Sequence, residues 1–326
     1  MKRILFTLVA SLVILSLTSC SISLLNNPAP LPTLISVPSS ASISVTPAIS
    51  TSTLFIPSTT FGLLGVTPGV PAPTPTSEVN TGSPSGPYAV ILLDPGEILN
   101  IRSAPGADSP VIGSFTANAT NVLRTGPSAS VEGDLWVEVA NPNGGTAWVN
   151  SNFLTEYVNQ ATFCDDMRVN SLITSLGNAF YTHDGGLLSS LVSPMHGMTL
   201  YLYRSGNPVT FKSSDAQWVF DSTYAHDWGA APGSGLETNG DFRNMVLPKL
   251  LSVFNASYTL NCNTPGVAAS FSTEPWPNLY AHINYYNVFR SPSSSGSLDW
   301  EVWLVGVEFV QGKPTIFSLI NFEWEP

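Results

Sequence analysis

The chain has 326 residues, a length typical of about two globular domains. Its 22 acidic and 11 basic side chains give a net charge of −11, which excludes two classes of partner that depend on Lys and Arg. Nucleic acid is one, and anionic lipid headgroups bound through a polybasic patch are the other.

The first twenty residues have the layout of an export signal. Lys2 and Arg3 precede an apolar run, residues 4–17, that is shorter than the roughly 20 residues a membrane-spanning helix needs. A Leu-Thr-Ser sequence then stands directly before Cys20 and resembles the lipobox of bacterial lipoproteins. The resemblance implies a signal peptide over 1–19, a lipid on Cys20, and an extracytoplasmic protein anchored to a membrane. The alternative is an ordinary cleaved signal followed by a chance cysteine.

Residues 20–86 are rich in Ser, Thr and Pro and contain a single charged residue, Glu78. They show no sustained helical or strand periodicity, and such a composition does not bury enough apolar surface to offset chain entropy. We therefore predict a disordered linker. As a flexible coil it would reach about 45 Å from the anchor.

Residues 87–157 are expected to form a small β domain. Short apolar segments at 88–93, 135–139 and 146–149 alternate with turn-forming Pro-Gly and Asn-Gly sequences. Closure into a barrel is how such a small all-β domain avoids exposed edges.

Within this segment, four motifs occur in the order found in the bacterial SH3 (SH3b) family. They are Leu-Asn-Ile-Arg-Ser-Ala-Pro-Gly at 99–106, Ser-Pro-Val-Ile-Gly at 109–113, Trp-Val-Glu-Val at 136–139 and Gly-Thr-Ala-Trp-Val at 145–149. The segment resembles that family, whose members commonly bind cell-wall peptide or glycan. The resemblance, with the loop after the first motif, makes the following residues candidates for a shallow binding groove: Arg102, Ser103, Pro105, Trp136 and Trp148. The alternative is that Ile101, Val111 and both tryptophans belong to the core, and that Pro105 and Gly106 only make a turn.

Residues 158–326 are expected to form an α+β domain with helices packed on one face of a curved antiparallel sheet. Apolar residues at 169, 172, 173, 176 and 180 predict one helix, and weaker patterns predict helices at 187–192 and 241–254. Predicted strands cover 198–203, 209–211, 280–290, 299–310 and 315–324. The element order is similar to NTF2-like cone folds, an analogy at the level of the fold.

Two cysteines remain after the lipobox, Cys164 and Cys262. An even number of cysteines in an exported protein favours a structural disulfide. The alternative is a pair of buried free thiols.

The sequence contains no recognisable catalytic motif, cofactor fingerprint or metal-ligand spacing. A polar row on the predicted strand 280–290 is the exception that could form a site, because alternate residues share one face. If the sheet curves into a cone, that row could line its mouth together with acidic residues of the next strand; otherwise it faces solvent. The candidate pocket residues are His282, Asn284, Tyr286, Glu301 and Glu308.

Two functions follow. The favoured one is a membrane-anchored lipoprotein whose SH3b domain binds cell-wall peptide or glycan, with a non-catalytic binding or scaffolding domain at its C-terminus. The alternative is an exported enzyme or small-ligand-binding protein that works in a C-terminal cone cavity and is localised by the SH3b domain.

Overall fold

The computed structural model describes residues 86–264 and 276–324, all within one compact unit, Ala72–Pro326. The predicted signal peptide (1–19), Cys20 and the predicted linker up to residue 85 lie outside the described residues. No helix in the described ranges has both the length and the apolar character needed to traverse a bilayer.

The described chain begins with an all-β domain. Its strands are β1 (Tyr88–Val90), β2 (Ile98–Arg102), β3 (Val111–Thr116), β4 (Arg124–Val131), β5 (Asp134–Ala140), β6 (Thr146–Asn150) and β7 (Leu154–Glu156). Five of them form one antiparallel sheet in the order β3-β2-β6-β5-β4. Alternate residues point into a shared core, as Leu99 and Ile101 do on β2 and Val137 and Val139 on β5.

Strand β1 closes this domain by pairing with its last strand. β1 and β7 run antiparallel, so the chain enters and leaves the domain side by side. Tyr88 also exchanges two backbone hydrogen bonds with Val122, at 2.8 and 2.9 Å. The first strand is therefore held by two different segments of the domain.

In its described residues, 158–264 and 276–324, the second domain combines six helices with a six-stranded sheet. The helices are α1 (Gln160–Asp165), α2 (Met167–Thr182), α3 (Gly185–Leu191), α4 (Ser213–Ala216), α5 (Phe242–Met245) and α6 (Leu247–Phe254). The sheet strands are β8 (Met198–Tyr201), β9 (Val209–Phe211), β12 (Tyr258–Cys262), β13 (Asn284–Arg290), β14 (Glu301–Val310) and β15 (Lys313–Glu323), with a separate hairpin of β10 (His226–Ala230) and β11 (Glu237–Gly240).

The strand order in the large sheet is β12-β13-β14-β15-β8-β9. Neighbouring strands are antiparallel except for β15 and β8, which are parallel. The expectation of a wholly antiparallel sheet is therefore wrong at this junction. β15, the last strand, lies next to β8, which comes from the start of the domain. The connection between the two strands is long enough for them to pair parallel or antiparallel.

Helices cover one face of the sheet. The apolar face predicted for the first long helix is confirmed, since Val169, Ile173 and Leu176 of α2 are fully buried. They pack in one core with Tyr286, Val288 and Trp303 from the sheet. The helix predicted over 241–254 divides into α5 and α6, because Pro248 fits the start of a helix and not its interior.

The opposite face of the sheet carries a second apolar core, which we call the outer-face cluster. The central strands are therefore buried on both sides. The cluster consists of Ile91, Tyr280, Ile283, Tyr285, Trp300, Val302, Leu304, Phe317, Ile320 and Phe322.

The strand predicted over 280–290 begins only at Asn284. Asn278–Tyr280 forms a 3-10 turn, and His282 precedes the strand. The indole of Trp276 explains the difference: it stacks on Tyr285, with 4.4 Å between ring centroids, and donates a hydrogen bond to the Tyr280 carbonyl. These contacts fold residues 276–283 across the outer face instead of letting them extend the strand.

Cys164 on α1 and Cys262 on β12 form the predicted disulfide, with their Cα atoms 5.8 Å apart. The bond attaches the first helix of the second domain to the edge strand of the sheet. The alternative of two free thiols is therefore wrong.

The two domains meet through specific contacts. Ile91, which follows β1, inserts into the outer-face cluster, and the next backbone amide, of Leu92, donates to the Leu279 carbonyl at 2.8 Å. The Glu156 carboxylate accepts from the backbone amides of Gln311 and Gly312 at 2.6 and 2.8 Å. Those two residues form the β14–β15 turn with positive φ values of 53° and 71°, as a tight hairpin requires. An acidic residue of the β domain thus caps a turn of the second domain.

Candidate functional site

The loop between β2 and β3, which contains Ser103 and Pro105, is held by Arg102. Its guanidinium donates to the Ser109 carbonyl at 2.7 Å, and the Ser109 hydroxyl donates to the Pro105 carbonyl at 3.1 Å. The amide of Ser103 donates to the Pro110 carbonyl at 3.0 Å. Arg102 therefore stabilises the conformation of this loop.

Gly106 lets this loop lie against β4. Its φ is +111°, and a Cβ there would stand 3.3 Å from Cγ1 of Val131. Only glycine combines that backbone conformation with such a close approach. The loop is therefore a fixed wall beside the sheet.

Directly paired residues place one row of side chains across four strands. Arg102 pairs with Val111 on β3 and with Trp148 on β6, and Trp148 pairs with Glu138 on β5. Paired residues share a face of a sheet, so these four side chains stand next to one another. We call them the cross-strand row: Val111, Arg102, Trp148 and Glu138.

The row presents one apolar, one aromatic and two oppositely charged side chains to solvent. Val111 is 52% exposed, while Arg102, Trp148 and Glu138 are half-buried. The carboxylate of Glu138 is oriented by hydrogen bonds from the hydroxyls of Thr125 and Thr146, at 2.6 and 2.9 Å. Such a surface can stack on the apolar face of a sugar or peptide and hydrogen-bond to its polar groups.

Trp136 does not belong to this surface. It lies on the same face of β5 as Glu138, but it is only 5% exposed, so its ring is covered and unavailable for stacking. Of the candidates from the sequence, the structure brings Arg102 and Trp148 together, with Ser103 and Pro105 in the adjoining loop. Val111 and Glu138 were missed, because their place in the row depends on strand register that the sequence does not reveal.

The five pocket candidates of the second domain do not form a common site. Tyr286 is buried in the helix-side core, and the Asn284 amide donates to the Val158 carbonyl at 2.7 Å. His282 lies within 3.1 Å of the Asn118 carbonyl of the β domain, through Nε2. The predicted polar row is therefore neither a cone mouth nor a solvent-facing strip, because helices or the β domain cover it.

The two glutamates of β14 lie apart. Glu301 accepts hydrogen bonds from Ser252 and Asn321, whereas Glu308 pairs with His196. Seven residues separate them, about 23 Å along a strand. They cannot act on one small ligand.

His196 and Glu308 form a buried pair beneath the β domain. Nδ1 of His196 is 2.8 Å from Oε2 of Glu308, and Nε2 is 3.2 Å from the Asn152 carbonyl. The Thr155 hydroxyl also donates to Glu308, at 3.4 Å. Burial lowers the pKa of His196, but the Glu308 carboxylate outweighs it and the net effect raises that pKa above its usual value.

Both acceptors around His196 require a proton from the ring. A carboxylate and a backbone carbonyl only accept hydrogen bonds, so both ring nitrogens must donate. With Glu308 ionised, the ring is an imidazolium, the form that the raised pKa of His196 favours, and neither nitrogen is free to serve as a base. Its evident role is to join the domains, through Asn152 and Thr155.

Within residues 86–264 and 276–324, no group of three or more His, Cys, Asp or Glu side chains is placed to hold a metal ion. His183 and His226, which each precede an aspartate, stand in different elements: His183 ends α2 and His226 begins β10.

Comparison with known protein families supports the reading of the β domain. Residues 98–155 match the family described as "Bacterial SH3 domain". No curated protein and no solved structure matches the chain. The match begins at β2 and ends within β7, so it contains the whole cross-strand row.

Proposed function

We propose that the SH3 domain binds cell-wall peptide or glycan through the cross-strand row and the adjoining loop. The observation that carries this proposal is that the matched segment presents Trp148 between Arg102 and Glu138 on a solvent-facing sheet surface. A bacterial SH3 domain in general suggests a cell-wall role and an extracytoplasmic location.

The chemistry of the row suits wall polymer better than a charged ligand. Arg102 and Glu138 nearly cancel each other's charge, so a neutral sugar or a zwitterionic peptide meets no strong repulsion. The patch is small, and little surplus free energy remains after the entropic cost of association. We expect modest affinity with weak salt dependence.

We further propose that the mature protein is lipid-anchored at Cys20, with residues 20–86 as a flexible spacer. A reach of about 45 Å is useful when the target lies away from the membrane, as wall polymer does. The net charge of −11 supports attachment by acyl chains instead of basic residues.

For the second domain we propose a non-catalytic binding or scaffolding role, and we keep the analogy to NTF2-like cone folds as part of that proposal. Support comes from the helix-side core, which fills the space behind β13 with Tyr286, Val288 and Phe163. The alternative, an enzyme or ligand-binding protein acting in that cone, has less support because the candidate residues lie apart.

The test is co-sedimentation of residues 21–326 with purified peptidoglycan over a range of salt concentrations. We expect retention that changes little with salt. Absence of retention would reject the wall-binding role, and retention abolished by moderate salt would show that charge, and not the stacking surface, is responsible.

A further inference from the structure

A cleft in the second domain, away from the cross-strand row, has the composition of a ligand site. Its volume is about 280 Å³, and it lies between the turn after α4 and the start of β10. Phe211, Val219 and Phe242 are almost fully buried and form its floor.

Two aromatic side chains border the cleft and face solvent. Trp218 is 61% exposed and Tyr224 is 69% exposed, although both have apolar rings that burial would stabilise. The backbone that carries them is ordered: the amide of Ser222 donates to the Trp218 carbonyl at 2.8 Å, and the Ser222 hydroxyl accepts from the amide of Tyr224 at 3.2 Å. The backbone beneath both rings is therefore fixed, while the rings themselves are left uncovered beside the cleft.

His226 supplies a further ring. Its imidazole is 4.8 Å from the Tyr224 ring at an interplanar angle of 68°, and 5.2 Å from Phe211 at 74°. Partial burial lowers the pKa of His226 below its usual value, so the ring is neutral at pH 7. The cleft thus has aromatic walls at steep angles to one another and no positive charge from this ring.

Asp215 is the only acidic side chain among the lining residues, and none of those residues is Lys or Arg. The other polar lining side chains are the imidazole of His226 and the hydroxyls of Thr210, Ser222 and Tyr224. The chain as a whole carries a charge of −11. An anionic ligand would be repelled by this field, whereas a cation would be attracted.

We propose that this cleft binds an alkylated ammonium group, with Trp218 and Tyr224 as walls and Asp215 as the counter-charge. The negative faces of aromatic rings attract such cations, and the alkyl groups fit an apolar floor. A primary ammonium fits less well, because it is strongly hydrated and needs several acceptors. The proposal concerns a different domain from the cross-strand row and stands independently of the wall-binding function.

The test is isothermal titration of residues 21–326 with choline and with its neutral isostere, 3,3-dimethyl-1-butanol. The two probes have the same shape, so their difference isolates the charge. We expect choline to bind about tenfold more tightly. Equal binding of both would reduce the cleft to an apolar pocket and overturn the proposal, as would no binding of choline.

Substitutions of the lining residues test whether choline binds in this cleft. Trp218→Ala is expected to weaken choline binding about tenfold, and Asp215→Asn by a smaller factor. Both side chains are exposed, so neither change creates a core cavity. Tyr181→Ala removes another exposed ring, on α2, and should leave choline binding unchanged. Tight binding of N-acetylglucosamine that depends on Trp218, without binding of choline, would assign the cleft to a sugar and contradict the proposal.

Discussion

His196 and Glu308 lie 2.8 Å apart, almost completely buried, at the place where the SH3 domain rests on the second domain. The other ring nitrogen of His196 faces the Asn152 carbonyl, which belongs to the SH3 domain. A protonated histidine therefore links a strand of one domain to the backbone of the other. We expect that removing this contact destabilises the junction between the two domains before it destabilises either core.

This pair predicts a pH-dependent stability. The folded protein holds the proton of His196 more tightly than the unfolded chain, because Glu308 raises its pKa. The resulting stabilisation is complete below the unfolded pKa of about 6.5 and is lost as pH rises through the higher folded pKa. Urea unfolding between pH 5.5 and 9 should show this decline, and the double variant His196→Gln/Glu308→Gln should show a shallower one.

Single substitution of His196 is more severe than the double change. His196→Asn leaves the Glu308 carboxylate buried without its partner, at a cost of about 3–5 kcal/mol. His183→Asn is the matched control, since His183 is exposed and asparagine tolerates its positive φ of 54°. A wild-type and a double variant with the same pH dependence would contradict the assigned protonation.

The disulfide predicts a large loss of stability on reduction. Cys164 and Cys262 are 98 residues apart, and opening a loop of that length releases about 4.7 kcal/mol of restraint on the unfolded chain in the entropic model. Urea unfolding with and without reductant measures the loss. The variant Cys164→Ser/Cys262→Ser should be equally destabilised and insensitive to reductant; two titratable thiols in the oxidised protein would refute the bond.

The cross-strand row predicts that Trp148 carries most of the wall binding. Trp148→Ala should weaken retention on peptidoglycan by about 1–2 kcal/mol, because a stacking ring is lost while the half-buried position leaves the core intact. Leu135→Ala removes an exposed apolar side chain from the opposite face of β5 and is the control. Equal loss in both variants would mean that the row is not the binding surface.

Cys20 predicts membrane attachment. If it is acylated, the full-length protein expressed in bacteria should partition into the detergent phase, and Cys20→Ala should be released in soluble form or remain unprocessed. Partitioning is measured by phase separation followed by immunoblotting. The same distribution for both proteins would show that the lipobox resemblance is accidental.

Features that depend on residues close together in the sequence could be predicted from the sequence. The spacing of apolar residues predicts α2, because that spacing involves only a few neighbouring residues. The disulfide is favoured over two free thiols because the chain is expected to be exported and has an even number of cysteines after the lipobox. β4 has no such signal: its sequence, Arg-Thr-Gly-Pro-Ser-Ala-Ser-Val, lacks alternation, and pairing with β5 defines it as a strand.

Contacts between distant residues explain what could not be predicted. His196 and Glu308 are 112 residues apart, and the order of their elements does not reveal that they meet. The polar spacing of His282, Asn284 and Tyr286 indicates one face of a strand, but the turn stabilised by Trp276 removes His282 from it. In the SH3 domain the motif gives Arg102 and Trp148, whereas register is needed to add Val111 and Glu138.

The position of β1 determines how this protein would bear a mechanical load. Any pull on the chain ahead of Pro87 reaches Tyr88 first, where short hydrogen-bonded contacts with Val122 and β7 resist it. If those contacts yield, the force passes directly to Ile91, which is seated in the outer-face cluster. Traction would then extract the junction between the domains while the disulfide still secures the sheet to α1. If the chain is tethered ahead of β1, as we propose, the load falls on the junction between the domains before it reaches the helix-side core.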